Sequence, residues 1–229
     1  NRNFPSLSII EEFKHVPSPD CYRCPFGKNY PECGLTCAHF VGYTIEKEGD
    51  KSVAAFLAEP INSWAGQIVP PKEYWAIVRR ICDEKGVLLI FDEVMTGFAR
   101  TGKMFACEHW NVVPDIETYA KGITSGYVPL GATVINKKMA DYFDEKGFPH
   151  SYTYSGHPIA CAAALATIDY YFEENLAEKA AKMGDYLMDG LRGIQERTGT
   201  VGDIRGKGLF IGVELVANRE TKEKIVPTG

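Results

Sequence analysis

Two short runs of unbroken apolar residues, 53–58 and 87–91, flank a stretch in which apolar positions recur at helical spacing. Each run has the length and continuity of a strand buried on both faces of a sheet. Between them, Pro70-Pro71 opens a helix, Tyr74, Ile77, Val78, Ile81 and Cys82 form its apolar stripe, and Gly86 closes it. Strand, helix and strand at this spacing predict a βαβ unit, hence parallel strands joined by a right-handed crossover. A further strand is expected at 132–135 and a short helix at 138–146. An Ala-rich helix should follow His157-Pro158 to about residue 172. A second long helix spans 176–197, with Leu176, Ala180, Met183, Leu187, Leu191 and Ile194 on one stripe. Gly206-Lys207-Gly208 then leads into an apolar strand at 209–215. Residues 1–40, rich in Pro, Cys and Gly, read as irregular surface chain.

The expected fold class is α/β. A mainly parallel central sheet flanked by helices forms a large domain over 52–175, an irregular connecting segment covers 1–51, and a truncated C-terminal α+β domain occupies 176–229. The composition agrees: 229 residues, 45% hydrophobic and 24% charged, are ordinary for a globular protein. A net charge of −5 with interspersed signs gives no basic stripe for nucleic acid or anionic membrane. Thirteen prolines and 22 glycines interrupt every apolar run well before the roughly 18 residues a membrane helix needs. Asn1-Arg2-Asn3 opens no signal peptide, and the chain reads as beginning mid-protein. Several of the seven cysteines sit in apolar patterns, which suits free thiols in a reducing cytoplasm.

Two residues suggest chemistry. Asp92 follows the strand 87–91 at its carboxyl end, where open α/β sheets bind ligands. Lys121 stands in Tyr119-Ala120-Lys121-Gly122, between small residues that let an amine approach a flat ring. Taken singly, a strand-end Asp usually caps a turn and an exposed Lys is usually solvated. Together they are the residue types that hold an aldehyde coenzyme, the amine by condensation and the carboxylate at a ring nitrogen.

Residues 87–131 resemble the signature block of the class III aminotransferases, pyridoxal-phosphate (PLP) enzymes of fold type I. Asp92-Glu93-Val94, Thr96-Gly97-Phe98-x-Arg100-Thr101-Gly102, Pro114-Asp115-Ile116 and Ala120-Lys121-Gly122 all fall at the family spacing. The likeness extends through Glu59-Pro60, residues 150–166 and Arg205-Gly206-Lys207-Gly208-Leu209. It implies that Lys121 carries PLP as a Schiff base, Asp92 pairs with the pyridine nitrogen, and Val94 packs on the ring. Thr153 would reach the cofactor phosphate of the neighbouring subunit, in a homodimer with shared active sites. Without the resemblance, Val94 is a core residue and Thr153 the N-terminal cap of the helix after His157. The implied reaction moves an amino group from an amine or ω-amino acid to a 2-oxo acid such as pyruvate. Aminomutases, racemases and lyases use the same fold and remain the alternative.

Two departures bear on substrate. Met95 replaces the Gln that ornithine and 4-aminobutyrate aminotransferases place after Asp-Glu-Val, and Trp64 replaces the Glu with which they screen an arginine. An apolar group there cannot serve as a charge switch, which points to the ω-amino acid or amine:pyruvate branch. The family's phosphate loop and ring-stacking aromatic fall before Asn1 and its substrate arginine after Gly229, so this piece is not expected to act alone.

Other readings are weaker. The strand ending in Asp92-Glu93 also resembles a Walker B strand, and Gly97 to Met104 approaches a P-loop. Met104 has no hydroxyl for Mg²⁺, and the loop follows the acidic strand instead of preceding it. Cys21, Cys24, Cys33 and Cys37 have spacing that four-thiolate metal sites use, yet similar segments occur in class III relatives without a known ion, so no metal is assigned. His109 and His157 are expected to be structural and Glu93 to brace the loop after Asp92, with Glu59 near the site from another strand end.

Overall fold

The computed structural model describes residues 12–49 and 51–225. Its centre is a four-stranded sheet in the order β1 (Ala55–Ala58), β2 (Leu88–Asp92), β3 (Ile116–Tyr119), β4 (Ala132–Ile135). The first three strands are parallel and β4 runs antiparallel to β3, so the sheet is mainly parallel as expected. A second, antiparallel sheet contains β5 (Val201–Lys207), β6 (Phe210–Asn218) and β7 (Glu223–Lys224).

One face of the main sheet is closed by α1 (Thr36–Glu48) and α2 (Tyr74–Lys85). Leu89 and Phe91 project into this layer and meet Trp75, Val78, Ile45 and Val41. Trp75 sets an edge on Phe91 at 4.6 Å and donates its indole N–H to the Pro60 carbonyl at 3.0 Å, so a large apolar ring is buried with its polar atom satisfied. Burying such a side chain contributes about 2–3 kcal/mol. The opposite face is more open: Leu57 is 54% exposed, and its cross-strand neighbour Ile90 is only half-buried. The apolar runs therefore do not mark burial on both faces within this chain.

Helix α1 corrects the expectation of irregular chain up to residue 51. Ala38, Val41, Gly42 and Ile45 form its buried stripe, a helical period disguised by small and polar residues. Gly42 permits the close approach of α2, since a Cβ there would stand 3.3 Å from Ile81 Cγ2. Strands β3 and β5 are also absent from the periodicity reading. Glu117 and Thr118 obscure the first, and Gly202, Asp203, Arg205 and Gly206 the second, none of them strand formers in isolation apart from the threonine. Helices α3 (Lys137–Lys146), α4 (Pro158–Glu173) and α5 (Leu176–Arg197) fall where the pattern places them.

The second sheet is tied to the loop after β1 by Arg205. Its Nε donates to the Gly66 carbonyl at 2.7 Å, and its Nη1 to Asp203 at 2.6 Å and Glu214 at 2.9 Å. Glu214 also accepts from Arg23. Burial by itself would raise the Glu214 carboxyl, but the two arginines outweigh it and hold it below the usual carboxylate range. Truncating Arg205 leaves Asp203 without its partner and Glu214 with Arg23 alone, at a cost of about 1–3 kcal/mol. Arg205→Ala in the complete protein should therefore weaken hydrogen-exchange protection in residues 62–68 while leaving that of α2 unchanged.

Candidate functional site

The register of the parallel strands decides what meets at their carboxyl ends. Asp92 pairs with Thr118, and the Glu93 N–H donates to the Thr118 carbonyl at 3.0 Å. Lys121 is three residues beyond Thr118, so its Cα lies on the order of 10 Å from that of Asp92. The Asp92 side chain is on the open face of the sheet, opposite the layer that receives Phe91. Its Oδ1 accepts the Val94 N–H at 2.9 Å, and among the described residues Oδ2 takes no protein donor.

Lys121 begins a 3-10 turn, Lys121–Thr124, with φ at 45°. A non-glycine residue in the left-handed region is strained unless its surroundings impose it. Here they do. Gly122 lies so close to Phe98 that a Cβ would approach to 2.8 Å, and the Tyr171 hydroxyl of α4 donates to the Gly122 carbonyl at 2.8 Å. Phe98 and Ala99 are themselves left-handed, as is Ser125. Backbone strain thus gathers in the two loops that leave β2 and β3.

The loop after Asp92 is braced from beneath. Glu93 is 1% exposed and accepts the Cys107 N–H at 2.8 Å, the Ala106 N–H at 3.0 Å and the Thr96 hydroxyl. This is the bracing role expected of it. Burial nevertheless pushes its carboxyl up, with the neighbouring Glu117 adding to the rise and the Thr96, Ala106 and Cys107 donors opposing it. The Cys107 thiol and the Tyr119 hydroxyl are raised as well, first by burial and then by Glu117, whose Oε2 accepts from Tyr119 at 2.5 Å. Sequence reasoning missed this acid–thiol–phenol cluster. Its signal was the alternation of Glu117 and Tyr119, which becomes visible only once β3 is recognised as a strand.

Further along, the Arg100-Thr101-Gly102 turn is held by backbone packing against the C-terminal part. Gly208, at φ 52°, would place a Cβ 2.4 Å from the Thr101 carbonyl carbon, and Leu209 N–H donates to Arg100 O at 3.1 Å. His109 bonds the Thr101 carbonyl and hydroxyl at 3.1 Å, and burial keeps its imidazole below the ordinary range.

Other residues fall differently. Glu59 accepts from the Ser63 N–H at 2.9 Å and shapes the loop that carries Trp64. Trp64 is 87% exposed on that loop, which leaves the same sheet edge as Asp92. Val94 is half-buried, and Met95 is 37% exposed. Thr153 is exposed and caps nothing: the N-cap of α4 is His157, without a side-chain cap bond. The reading of Thr153 as a helix cap is therefore corrected, because the chain turns through Tyr154, Ser155 and Gly156 before the helix starts. A broad, shallow depression lined by Glu46, Lys51, Ser52 and Lys85 lies at the amino ends of β1 and β2, the wrong edge for this chemistry.

Fold and site define an α/β protein with a lysine and a carboxylate at adjacent strand ends. Comparison makes this specific: the family model described as Aminotransferase class-III matches residues 2–229, and the chain belongs to that family. It is 45% identical over 94% of its length to a leucine/methionine racemase of Thermococcus litoralis, covering 48% of that protein. It is 41% identical over 93% of its length to a taurine–pyruvate aminotransferase of Bilophila wadsworthia, again covering 48%. An amine transaminase from an uncultivated Pseudomonas species, solved in its PLP-bound form, superposes with a TM-score of 0.88 at 43% identity, over 93% of this chain and 49% of that one. The chain spans about half the length of the curated relatives it matches. Class III aminotransferases depend on PLP.

Replacing Glu93 with Ala strands two buried N–H groups, at about 1–3 kcal/mol each. The complete protein should lose several degrees of melting temperature with Glu93→Ala, and less with Glu93→Gln, which keeps one acceptor oxygen.

Proposed function

We propose that the whole protein transfers an amino group from an amine or ω-amino acid to a 2-oxo acid such as pyruvate, with PLP held by Lys121 and Asp92. The observation that carries this reading is the in-register pairing that sets Asp92 and the strained Lys121 turn on adjacent parallel strand ends. The fit is chemical. Asp92 keeps one oxygen on the Val94 N–H and one open, so a carboxylate fixed in orientation is available to hold a proton on a ring nitrogen. Lys121 is exposed at the same end of the sheet, so its amine can hold the coenzyme and, once displaced by substrate, carry a proton to and from the substrate carbon.

When bound, PLP supplies the electron sink that such proton transfers require. Val94, half-buried beside Asp92, would pack on the ring, and Thr153, exposed ahead of α4, is free to reach the phosphate of a neighbouring subunit. The assembly is then a homodimer with shared sites. Lys121 lies in the part we assign to the cofactor-binding unit, 52–175, with 176–229 starting the smaller domain. No described helix is long and apolar enough to cross a membrane, and the seven cysteines are all free, which supports a cytoplasmic home.

Racemisation is the second reading, favoured by the likeness to the leucine/methionine racemase. An amino-donor screen of the complete protein separates the two: stoichiometric alanine from pyruvate marks transfer, whereas inversion of a single amino acid without any 2-oxo acid marks racemisation. Lys121→Ala should abolish turnover and the visible absorbance of lysine-bound coenzyme. Asp92→Asn should still bind coenzyme and slow proton transfer by at least about 10²-fold. Wild-type turnover in Lys121→Ala would reject the assignment. With Trp64 where a charge switch would need an acid, glutamate should be a poor donor beside an ω-amino acid.

A further inference from the structure

Two acids lie beneath the loop after Asp92, and the proposed reaction makes no direct use of either. An oxygen of Glu93, the sulfur of Cys107 and an oxygen of Glu117 all lie within 4.8 Å of one another. Glu93 is almost wholly buried. Among the described residues, neither acid forms an ion pair with a lysine or arginine. Two carboxylates this close, shielded from water and without a counter-ion, do not both ionise. We infer that Glu93 and Glu117 share one proton, and that this proton keeps the ends of β2 and β3, with Asp92 and Lys121, in place.

The hydrogen bonds leave one seat for it. Glu93 Oε2 accepts the Ala106 N–H at 3.0 Å and the Thr96 hydroxyl, and its Oε1 accepts the Cys107 N–H at 2.8 Å. Glu117 Oε2 accepts the Tyr119 O–H at 2.5 Å. The fourth oxygen, Glu117 Oε1, is buried and has no partner. As a bare acceptor it is costly there. Carrying the hydrogen, it becomes a donor with a carboxylate close by.

The cluster joins the segments that the site needs together. Glu93 directly follows Asp92, while Glu117 and Tyr119 precede Lys121 by four and two residues. The Tyr119 ring packs on Phe98 at 5.6 Å and Phe105 at 4.9 Å, and Phe98 is the residue against which Gly122 is pressed. Glu117 pairs with Phe91 and so faces the helical layer, away from the face that carries Asp92. It is a positioning residue, remote from the reacting atoms.

The other titratable groups around the pair are the Cys107 thiol, the Tyr119 hydroxyl and Glu108. Thiol and phenol are both pushed up and stay neutral, and Glu108 adds only negative charge. Strand β4 sets Ala132 and Val134 opposite Tyr119 and Glu117, and neither titrates. The Glu93 carboxyl itself is held above its ordinary range, by burial first. A carboxyl raised in the folded state stabilises below its unfolded range and loses that contribution as pH rises through the folded one. Rising pH therefore places two like charges between β3 and the loop after β2.

The positioning role rests on reading Asp92 and Lys121 as coenzyme ligands; the shared proton does not. The test is infrared spectroscopy of the complete, coenzyme-loaded protein at neutral pH, in H2O and D2O, reading the carbonyl stretch of an undissociated carboxylic acid. We expect that band in the wild type and in the exposed-site control Glu145→Gln. It should vanish in Glu117→Gln and in Glu93→Gln, because either leaves a single acid free to ionise. The melting temperature should fall as pH rises above the ordinary carboxylate range, with a flatter slope in Glu117→Gln. Coenzyme release should quicken with pH in the wild type but not in that variant. No band in the wild type, a band surviving in either variant, or an unchanged slope in Glu117→Gln would overturn the shared proton. If neither variant folds, the wild type decides: its band must fade over the same pH range as its melting temperature falls, and a band persisting through that fall overturns it. Coenzyme release independent of pH would overturn the positioning role. Band and slope without any amino transfer would support the shared proton and count against the proposed reaction.

Discussion

Everything in this molecule that bears on chemistry depends on the register between β2 and β3. Parallel strands lie about 4.8 Å apart and project side chains alternately to the two faces. Once Leu89 and Phe91 are committed to the helical layer, Asp92 has no choice but the opposite face. Its partner Thr118 then fixes where the next loop starts and so where Lys121 can be. A slip by one residue would turn Asp92 into the core, where an unpaired carboxylate is costly.

That register sets position, while tight backbone packing sets orientation. Lys121 keeps its left-handed conformation because Gly122 is pressed against Phe98 and anchored by Tyr171, residues from two other segments. The loop after Asp92 has its own supports: Glu93 from beneath and Gly208 from the C-terminal part. Strain held by independent contacts is the expected signature of a preorganised site. Gly208 does this work only because it lacks a Cβ. The C-terminal part thus contributes shape to the loop that follows Asp92.

Much of this was legible in the sequence. The runs at 53–58 and 87–91 yielded two parallel strands, the stripe from Tyr74 a helix, and Leu176 to Ile194 the long α5. Asp92 and Lys121 were recognisable as a strand-end acid and a lysine among small residues, and the family likeness tied them together. What stayed hidden has physical causes. Helix α1 buries a glycine and a cysteine-flanked stripe instead of leucines. Strand β3 carries a glutamate whose burial depends on Tyr119 and on Cys107, which lies outside the strand, so no local pattern reveals it. Strand β5 owes its existence to pairing with β6, a non-local gain that propensity does not register. The turn that leaves Thr153 uncapped follows from where α4 starts, which Pro158 decides.

A single chemical mapping bears on the central relation between the lysine and the acid. Borohydride reduction of the complete enzyme with its coenzyme bound, followed by peptide mass spectrometry, locates the covalent link. The adduct should fall on the peptide containing Lys121 and be unchanged in position, though altered in absorbance, when Asp92 is replaced by Asn. An adduct on any other lysine would contradict the account.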